Sequence, residues 1–303
     1  MAPTNNLPTY TASSHWGSEA RNFHTSARLH LQHLLFQNTL GASLLEPRIS
    51  ESLPTDSEIR VADLGCGNGA WLLDLHHALS RSESSRKQGF QLQGFDINPK
   101  NFPGPTCLPD TVTLSNLDVL SRPLPAELRS AFDIVHVRAF VSIIRHGDVG
   151  PLLDTIFDLL KPGGWFLWEE SRADNFVASS PSTNISKEAC DTIIRIIDSG
   201  GKASGYEFLF LASLGVPIAH RGFDDVDVRY VDKRASDLKA WTENYLLVWE
   251  ELTSLFPSRN HMPEAAMTEE AFRELFEKAV AETEAGVLVH QEQIVIASGR
   301  KPL

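Results

Sequence analysis

From about residue 58 onwards, hydrophobic and polar positions alternate between two kinds of pattern along this 303-residue chain. Short apolar runs that suit buried strands, such as IRVADLG at 59–65 and FDIVHVRAF at 132–140, are separated by stretches with amphipathic helical spacing, such as GAWLLDLHHALS at 69–80. Repeated units of strand, crossover and strand favour a parallel sheet covered by helices on both faces. The pattern therefore predicts a doubly wound α/β fold with a mostly parallel, seven-stranded sheet.

Three segments depart from this alternation. Leucines at helical spacing within 19–45, followed by a linker rich in proline, serine and acidic residues, predict an N-terminal helical cap over 1–57, ahead of a core over 58–303. Residues 172–217 interrupt the rhythm and are expected to form an inserted lid on the substrate side of the core. The last two predicted strands, at 222–231 and 287–299, are expected to pair as an antiparallel edge.

Composition narrows the classes of partner. The chain carries 39 acidic and 27 basic residues, a formal net charge of −12, and no Lys/Arg-rich stripe, so a nucleic-acid partner is not expected. The N-terminal stretch lacks the pattern of a signal peptide, and the most apolar later segment, 208–219, is too short to cross a bilayer. Three scattered cysteines without a CxxC pair suit a reducing compartment. We therefore expect a cytoplasmic protein without a membrane partner, and composition indicates no oligomeric state.

A glycine-rich loop follows the first predicted strand and carries the strongest chemical signal. The sequence DLGCGNG at 63–69 formally satisfies the dinucleotide pattern G-x-G-x-x-G/A through Gly65, Gly67 and Ala70. Asp63, however, stands at the carboxyl end of the strand, where a dinucleotide would place its pyrophosphate, and a carboxylate there repels phosphate and attracts a cation. The ligand is therefore expected to carry positive charge, which disfavours a dinucleotide-dependent oxidoreductase.

S-adenosylmethionine carries an ammonium, a sulfonium and an adenosine but no phosphate, and DLGCGNG strongly resembles the first motif of the class I S-adenosylmethionine-dependent methyltransferases. The resemblance implies a Rossmann-like methyltransferase fold, with S-adenosyl-L-methionine as cofactor. It implies that the glycine loop approaches the methionine part, that Asp96 in LQGFDINP receives the ribose hydroxyls, and that Asp118, or alternatively Asn116, lies near the adenine amino group. The cofactor-binding residues so implied in the core are Asp63, Gly65, Cys66, Gly67, Gly69, Asp96, Ile97, Leu117, Asp118 and Val119.

The resemblance extends to one branch of that family. The segments ARLHLQHLLFQNTLGASLLEPRI, FDIVHVRAF and LKPGGWFLWEE are similar to the fungal secondary-metabolite methyltransferases and to related methyltransferase-like regulators, over about residues 10–170. The branch implies that the N-terminal helix covers the cofactor, with Tyr10 closing over its methionine end. His33 lies on that helix and is a further candidate for cofactor binding, although a histidine on an apolar face is also typical of a core position. It leaves open whether the chain transfers a methyl group, binds the cofactor as a regulator, or catalyses a different reaction.

The candidate catalytic residues lie at the ends of the fourth and fifth strands. His136 is the first candidate for a proton acceptor, with Glu169 and His146 behind it, although HVR at 136–138 is also the pattern of a strand with one polar face. Because adjacent strand residues point to opposite faces, only one of Glu169 and Glu170 is able to face a cavity. No metal site is expected, since the His76–His77 pair lacks further ligands at suitable spacing.

The predicted function is methyl transfer from S-adenosylmethionine to an oxygen or nitrogen of a small, secondary-metabolite-like molecule. The sulfonium is already a good leaving group, so alignment, exclusion of water and removal of one proton are the main tasks of the protein. An apolar cavity for an aromatic, polyketide-like or alkaloid-like acceptor is expected to be lined by aromatic residues, although each is equally compatible with a core position. They are Phe176, Tyr206, Phe208 and Phe210 of the insertion, together with Trp241 and Tyr245.

Overall fold

A computed structural model describes residues 22–41, 43–82, 89–261 and 264–303. Within these ranges the strands are β1 Ile59–Leu64, β2 Phe90–Asp96, β3 Val112–Asn116, β4 Phe132–Arg138, β5 Leu160–Ser171, β6 Phe176–Ser179, β7 Asp224–Asp232, β8 Leu288–Gln291 and β9 Gln293–Arg300. The helices are α1 Phe23–Leu40, α2 Pro47–Glu51, α3 Ala70–Arg81, α4 Gly150–Leu159, α5 Glu188–Ala203, α6 Gly215–His220, α7 Leu238–Leu252 and α8 Glu269–Glu284.

Seven strands form one sheet in the order β3-β2-β1-β4-β5-β9-β7. The first five pair in parallel, whereas β9 runs antiparallel to both β5 and β7. The strand order reverses beside β1, which pairs with β2 on one edge and with β4 on the other. A doubly wound sheet opens a ligand-binding crevice at the carboxyl ends of the strands at such a reversal. The predicted fold class is confirmed, and the reversal places the glycine-rich loop at the crevice.

The two faces of the sheet are covered by separate hydrophobic clusters. On one face α1, α3 and α7 contribute Phe36, Trp71 and Trp241 to a buried cluster with β1 and β2. On the other face, α4 and α6 cover a cluster that includes Phe132 and Trp168. Burial of each large side chain stabilises the fold by about 1.5–3 kcal/mol. The central strands, which carry the crevice residues, are therefore covered on both faces of the sheet.

The N-terminal helix is shorter than the expected segment 19–45. In the structure α1 begins after Asn22, whose side chain accepts hydrogen bonds from the first backbone N–H groups, and it ends at Gly41, where φ is 96°. The linker predicted at 46–58 contains the short helix α2, with proline at its first position and Ile49 fully buried. That apolar anchor ties the linker to the core.

The C-terminal strand predicted over 287–299 is divided in two. β8 pairs with β6 in a separate two-stranded sheet, and β9 enters the main sheet. The expected antiparallel pairing of the last strands is present as β7 with β9. The division arises because β6, inside the insertion 172–217, offers a pairing edge to β8, and it ties the insertion to the C-terminal part of the chain. No helix among the described residues is both long and apolar enough to span a bilayer.

Candidate functional site

The glycine loop turns sharply from β1 into α3. Gly65, Gly67 and Gly69 have φ values of 70°, 57° and 76°, in the left-handed region that other residues adopt only with strain. The backbone N–H groups of Gly65 and Cys66 both donate to the Phe95 carbonyl of the neighbouring β2, at 2.8 and 3.0 Å. The loop is thus a fixed, side-chain-poor cradle at the crevice.

Space in the cradle also requires glycine. A Cβ atom at Gly65 would lie 2.9 Å from the Phe140 ring, and one at Gly67 would lie 3.1 Å from Leu29 of α1. The backbone is therefore closely covered by the segment after β4 on one side and by the N-terminal helix on the other. Because the glycines carry no side chains, a ligand is able to approach the backbone of the cradle closely.

Asp96 joins the cradle from the end of β2. Its Oδ2 accepts the Gly67 N–H at 2.9 Å, and its Oδ1 accepts the Asn98 N–H at 2.9 Å. The carboxylate is buried and lines the same cavity as the glycine loop. The position predicted for ribose recognition therefore lies next to the cradle, where Asp96 also fixes the conformation of the loop.

A cavity of about 610 Å³ extends from this cradle across the carboxyl ends of β4 and β5. Its volume suits a cofactor and part of a small molecule. The N-terminal helix α1 closes one side, and α5 and α7 close the far end. The residues that line it include Arg28, Leu29, His33, Asp63, Gly65, Cys66, Gly67, Trp71, Asp96, His136, Arg138, Phe140, Glu170, Ser171, Phe176, Ile194, Phe208, Asn244, Tyr245, Trp249 and Gln291.

Asp63 is held by His136 of the adjacent strand. The His136 Nδ1 atom lies 2.7 Å from Asp63 Oδ1, its Nε2 atom lies 3.3 Å from Glu169 Oε2, and the ring stacks on Trp71 at a centroid distance of 3.6 Å. Both ring nitrogens therefore face carboxylate oxygens, which leaves neither nitrogen directed at a substrate. These contacts argue against the predicted proton-accepting role of His136 and indicate that it orients Asp63.

Glu169 continues the network to α1. Its Oε2 accepts a hydrogen bond from Arg138 Nε at 2.6 Å, and Arg138 also contacts His33 Nδ1 at 2.8 Å. Burial alone would raise the pKa of Glu169, but the charge of Arg138 and the bond to His136 outweigh it and lower that pKa to about 2. Glu169 is therefore a weak base, and it does not line the cavity.

The His33 side chain links α1 to the core. Its Nε2 atom lies 2.9 Å from Asp74 of α3, opposite the contact with Arg138. Burial lowers the pKa of His33; the hydrogen bond with Asp74 opposes that shift, and the charge of Arg138 adds to it. Arg28, five residues earlier on α1, forms a bidentate ion pair with Glu251 of α7, at 2.8 and 3.1 Å. The helix α1 is thereby joined to α3, to β4 and to α7.

Sequence reasoning missed a second polar cluster, around Glu170. Glu170 Oε2 accepts the backbone N–H groups of Phe140 and Val141 at 2.7 and 2.8 Å. Burial raises the pKa of Glu170 to about 7, although these hydrogen bonds oppose the shift. Strand alternation allowed Glu170 to face the cavity in place of Glu169, but nothing in the sequence selected it.

Lys233 lies behind this cluster, directly after β7. Its Nζ atom donates to Tyr245 Oη at 2.9 Å and to Ser171 Oγ at 3.2 Å, and it lies 3.8 Å from the centre of the Trp241 ring. Burial lowers the pKa of Lys233 well below its usual range, while the charge of Glu170 opposes this. No local motif marked Lys233, because its neighbours come from distant parts of the chain.

Several predicted residues lie away from this cavity. His146 is a correction: the turn after β4 carries it to Gly205, where its N–H donates to the Gly205 carbonyl at 2.5 Å, and it does not line the cavity. Asp118 is exposed and accepts hydrogen bonds from Leu120 N–H and Ser121 Oγ. The roles near the adenine ring remain predictions for residues that the structure places beyond the cavity lining: Ile97, Leu117, Asp118 and Val119. Tyr10 lies outside the described residues.

The aromatic residues expected around an acceptor divide into two groups. Phe176 and Tyr245 line the cavity, whereas Trp241 is fully buried beneath it. Trp249, which was not predicted, completes an aromatic wall, with its ring centre 5.9 Å from that of Phe176. The described residues contain no cluster of three or more His, Cys, Asp or Glu side chains suited to a metal ion, and His76 instead contacts Thr111.

Comparison with known proteins identifies the family of this chain. A family model described as a methyltransferase domain matches residues 30–279. The methyltransferase grgD of a Penicillium species is 28% identical over 280 residues, covering 91% of this chain and 93% of the relative. The N-methyltransferase tcpN of Claviceps purpurea is 30% identical over 149 residues, about half of each chain. A solved structure of Haemonchus contortus phosphoethanolamine N-methyltransferase 2 with S-adenosyl-L-methionine matches with a TM-score of 0.49 and 18% identity, covering 96% of this chain and 60% of that one. The chain therefore belongs to the methyltransferase-domain family and is an S-adenosylmethionine-dependent methyltransferase.

Proposed function

We propose that this protein methylates a nitrogen or oxygen atom of a small, largely apolar molecule. The observation that carries the proposal is one continuous cavity, with a glycine cradle and Asp63 at one end and an aromatic wall at the other. Nitrogen is the favoured acceptor atom, because curated relatives such as tcpN and gliN of Aspergillus fumigatus carry the name N-methyltransferase. The acceptor itself is a secondary-metabolite-like molecule in this proposal.

The residues of the cradle fit S-adenosylmethionine. Left-handed glycines keep three positions of the loop free of side chains, and the Asp63 carboxylate, fixed by His136, attracts the ammonium group of an amino acid. Asp96 supplies buried carboxylate oxygens beside the loop for the ribose hydroxyls. When bound, the cofactor supplies a methyl group on a positively charged sulfur.

The far end of the cavity accounts for the acceptor. The Phe176, Tyr245 and Trp249 rings provide apolar walls, and Phe176 lies 4.9 Å from Tyr245 between ring centres. The insertion 172–217 contributes one side through β6 and α5, in keeping with its proposed role as a lid. Such walls hold an apolar molecule in one orientation and exclude water, which are the main tasks of a methyltransferase.

Two alternative functions use the same cofactor site. A regulator would bind the cofactor without turnover, and a related enzyme would use it without transferring the methyl group. Neither is favoured by a particular contact in the cavity. A cytoplasmic location, and the absence of nucleic-acid and membrane partners, remain predictions from composition.

Calorimetric titration of the purified protein with S-adenosylhomocysteine, and separately with NAD, tests the proposal. We expect micromolar binding of S-adenosylhomocysteine, no binding of NAD, and loss of binding in Asp96→Ala. The matched control is Asp110→Ala, which removes an exposed carboxylate and should bind normally. Binding of NAD instead of S-adenosylhomocysteine would contradict the proposal. With binding established, transfer of a radioactive methyl group from S-adenosylmethionine to fungal metabolite fractions separates an enzyme from a regulator.

A further inference from the structure

Glu170 is a buried carboxylate that the cofactor site does not use. It follows Glu169 on β5, and strand alternation sends the two side chains to opposite faces. Glu169 joins the network of Arg138 and His136, whereas Glu170 lines the cavity together with the glycine cradle and the aromatic wall. Glu170 thus lines the cavity that Glu169, the neighbouring candidate for the base, does not reach.

The two oxygens of Glu170 have different surroundings. Oε2 accepts two short hydrogen bonds from Phe140 and Val141, which fix the orientation of the carboxylate. Oε1 accepts the N–H of Ser171 in a longer contact of 3.2 Å. Oε2 therefore holds the carboxylate more firmly than Oε1, and Oε1, which accepts one longer bond, keeps a lone pair in a defined direction, as a positioned proton acceptor requires.

The groups that face Glu170 set its charge. Two titratable groups interact electrostatically with Glu170: Lys233, which follows β7, and Tyr245 on α7. The Lys233 amine is bonded to Tyr245 and Ser171, so its positive form favours the ionised form of Glu170 without occupying either of its oxygens. Burial acts in the opposite direction and raises the pKa of Glu170 to about 7, close to neutral pH.

We infer that Glu170 is the residue that accepts the proton of the methyl acceptor. This inference rests on the proposed function and names a catalytic residue for it. As the acceptor N–H or O–H group forms its bond to the methyl carbon, the sulfur–methyl bond breaks, its electron pair stays on sulfur, and the acceptor proton passes to Oε1 of Glu170. Acceptors of this site therefore carry an ionisable N–H or O–H group, held within the aromatic wall.

The experiment uses sinefungin, an analogue of the cofactor in which a carbon bearing an amino group replaces the methylated sulfur. Its ammonium group lies where the transferred methyl group would lie, so a carboxylate facing that point forms an ion pair with it. We measure the dissociation constants of sinefungin and S-adenosylhomocysteine for the wild-type protein, Glu170→Gln and the exposed-site control Glu127→Gln at pH 8.

The wild-type protein and Glu127→Gln should prefer sinefungin by about tenfold, the size of one charged hydrogen bond. Glu170→Gln should lose this preference and keep its affinity for S-adenosylhomocysteine. In the wild-type protein the preference should also fall as the pH drops below about 7, because Glu170 is then protonated and neutral. That second measurement needs no variant to fold.

The contrary outcomes distinguish a failure of the Glu170 assignment from a failure of the proposed function. A wild-type protein that binds S-adenosylhomocysteine but does not prefer sinefungin would overturn the assignment of Glu170 and leave the proposed function intact. The same holds if Glu170→Gln retains the preference. A wild-type protein that binds neither compound would overturn the proposed function itself.

Discussion

The two ends of the cavity differ in what forms their surface, which is mainly backbone at one end and side chains at the other. At the cofactor end, backbone groups of a seven-residue stretch, 63–69, form the surface, and two carboxylates from adjacent strands complete it. At the acceptor end, side chains from β5, β6, α5 and α7 meet across long separations in the chain. A surface made of backbone depends on local conformation, whereas a surface made of side chains depends on the packing of the whole fold. The first kind tolerates little change, and the second is free to vary with the acceptor.

The largest expected effect is at the backbone end. Gly65→Val places a branched side chain at φ 70° and within 2.9 Å of the Phe140 ring, so the cradle has to distort. We expect affinity for S-adenosylhomocysteine to fall at least about a thousandfold in calorimetric titration. Gly104→Ala is the matched control, because nothing lies within 4 Å of its added Cβ atom. Near-normal binding by Gly65→Val would remove the distinction between the two ends.

An intermediate effect is expected on stability at the acceptor end. The folded protein raises the pKa of Glu170 to about 7, so it favours the protonated form, and stability falls as the pH rises from the unfolded pKa towards 7 and above. Glu170→Gln imitates the protonated form. At pH 8 its free energy of unfolding, measured with urea, should exceed that of the wild-type protein by about 2–3 kcal/mol. The difference should vanish near pH 4. An equal difference at both pH values would contradict a titrating Glu170.

The smallest effect is expected at Asn244, which borders the acceptor end. Both polar atoms of its fully buried side chain lack a hydrogen-bond partner among the described residues. An unpartnered buried amide destabilises a fold by about 1–3 kcal/mol, so Asn244→Leu, similar in volume, should raise stability by about 1 kcal/mol without changing affinity for S-adenosylhomocysteine. The measurement is urea unfolding at pH 7, beside titration. A loss of stability would show that Asn244 is satisfied within the fold.

The difference between the cofactor end and the acceptor end of the cavity explains which features were predictable from the sequence. The alternation of strands and helices, together with the seven-residue loop, was sufficient for the fold and for the place of Asp63 and the glycines, because each is encoded within a short segment. The partners of His136 were not predictable, since Asp63 and Glu169 reach it only when strands far apart in the chain align. Lys233 and Trp249 were missed for the same reason, and His146 was misplaced because the turn after β4 leaves the crevice.

A chain of side chains from Asp74 through His33, Arg138 and Glu169 to His136 ends at Asp63. The helix α1 is also bound to α7, through the ion pair of Arg28 with Glu251. A shortened protein that starts at residue 58 would keep the complete glycine motif, yet it would leave Arg138 and Glu251 without these partners and open one wall of the cavity. A shortened protein made for expression therefore has to retain residues 23–40 together with the core. The same holds when the glycine motif is transferred to another protein.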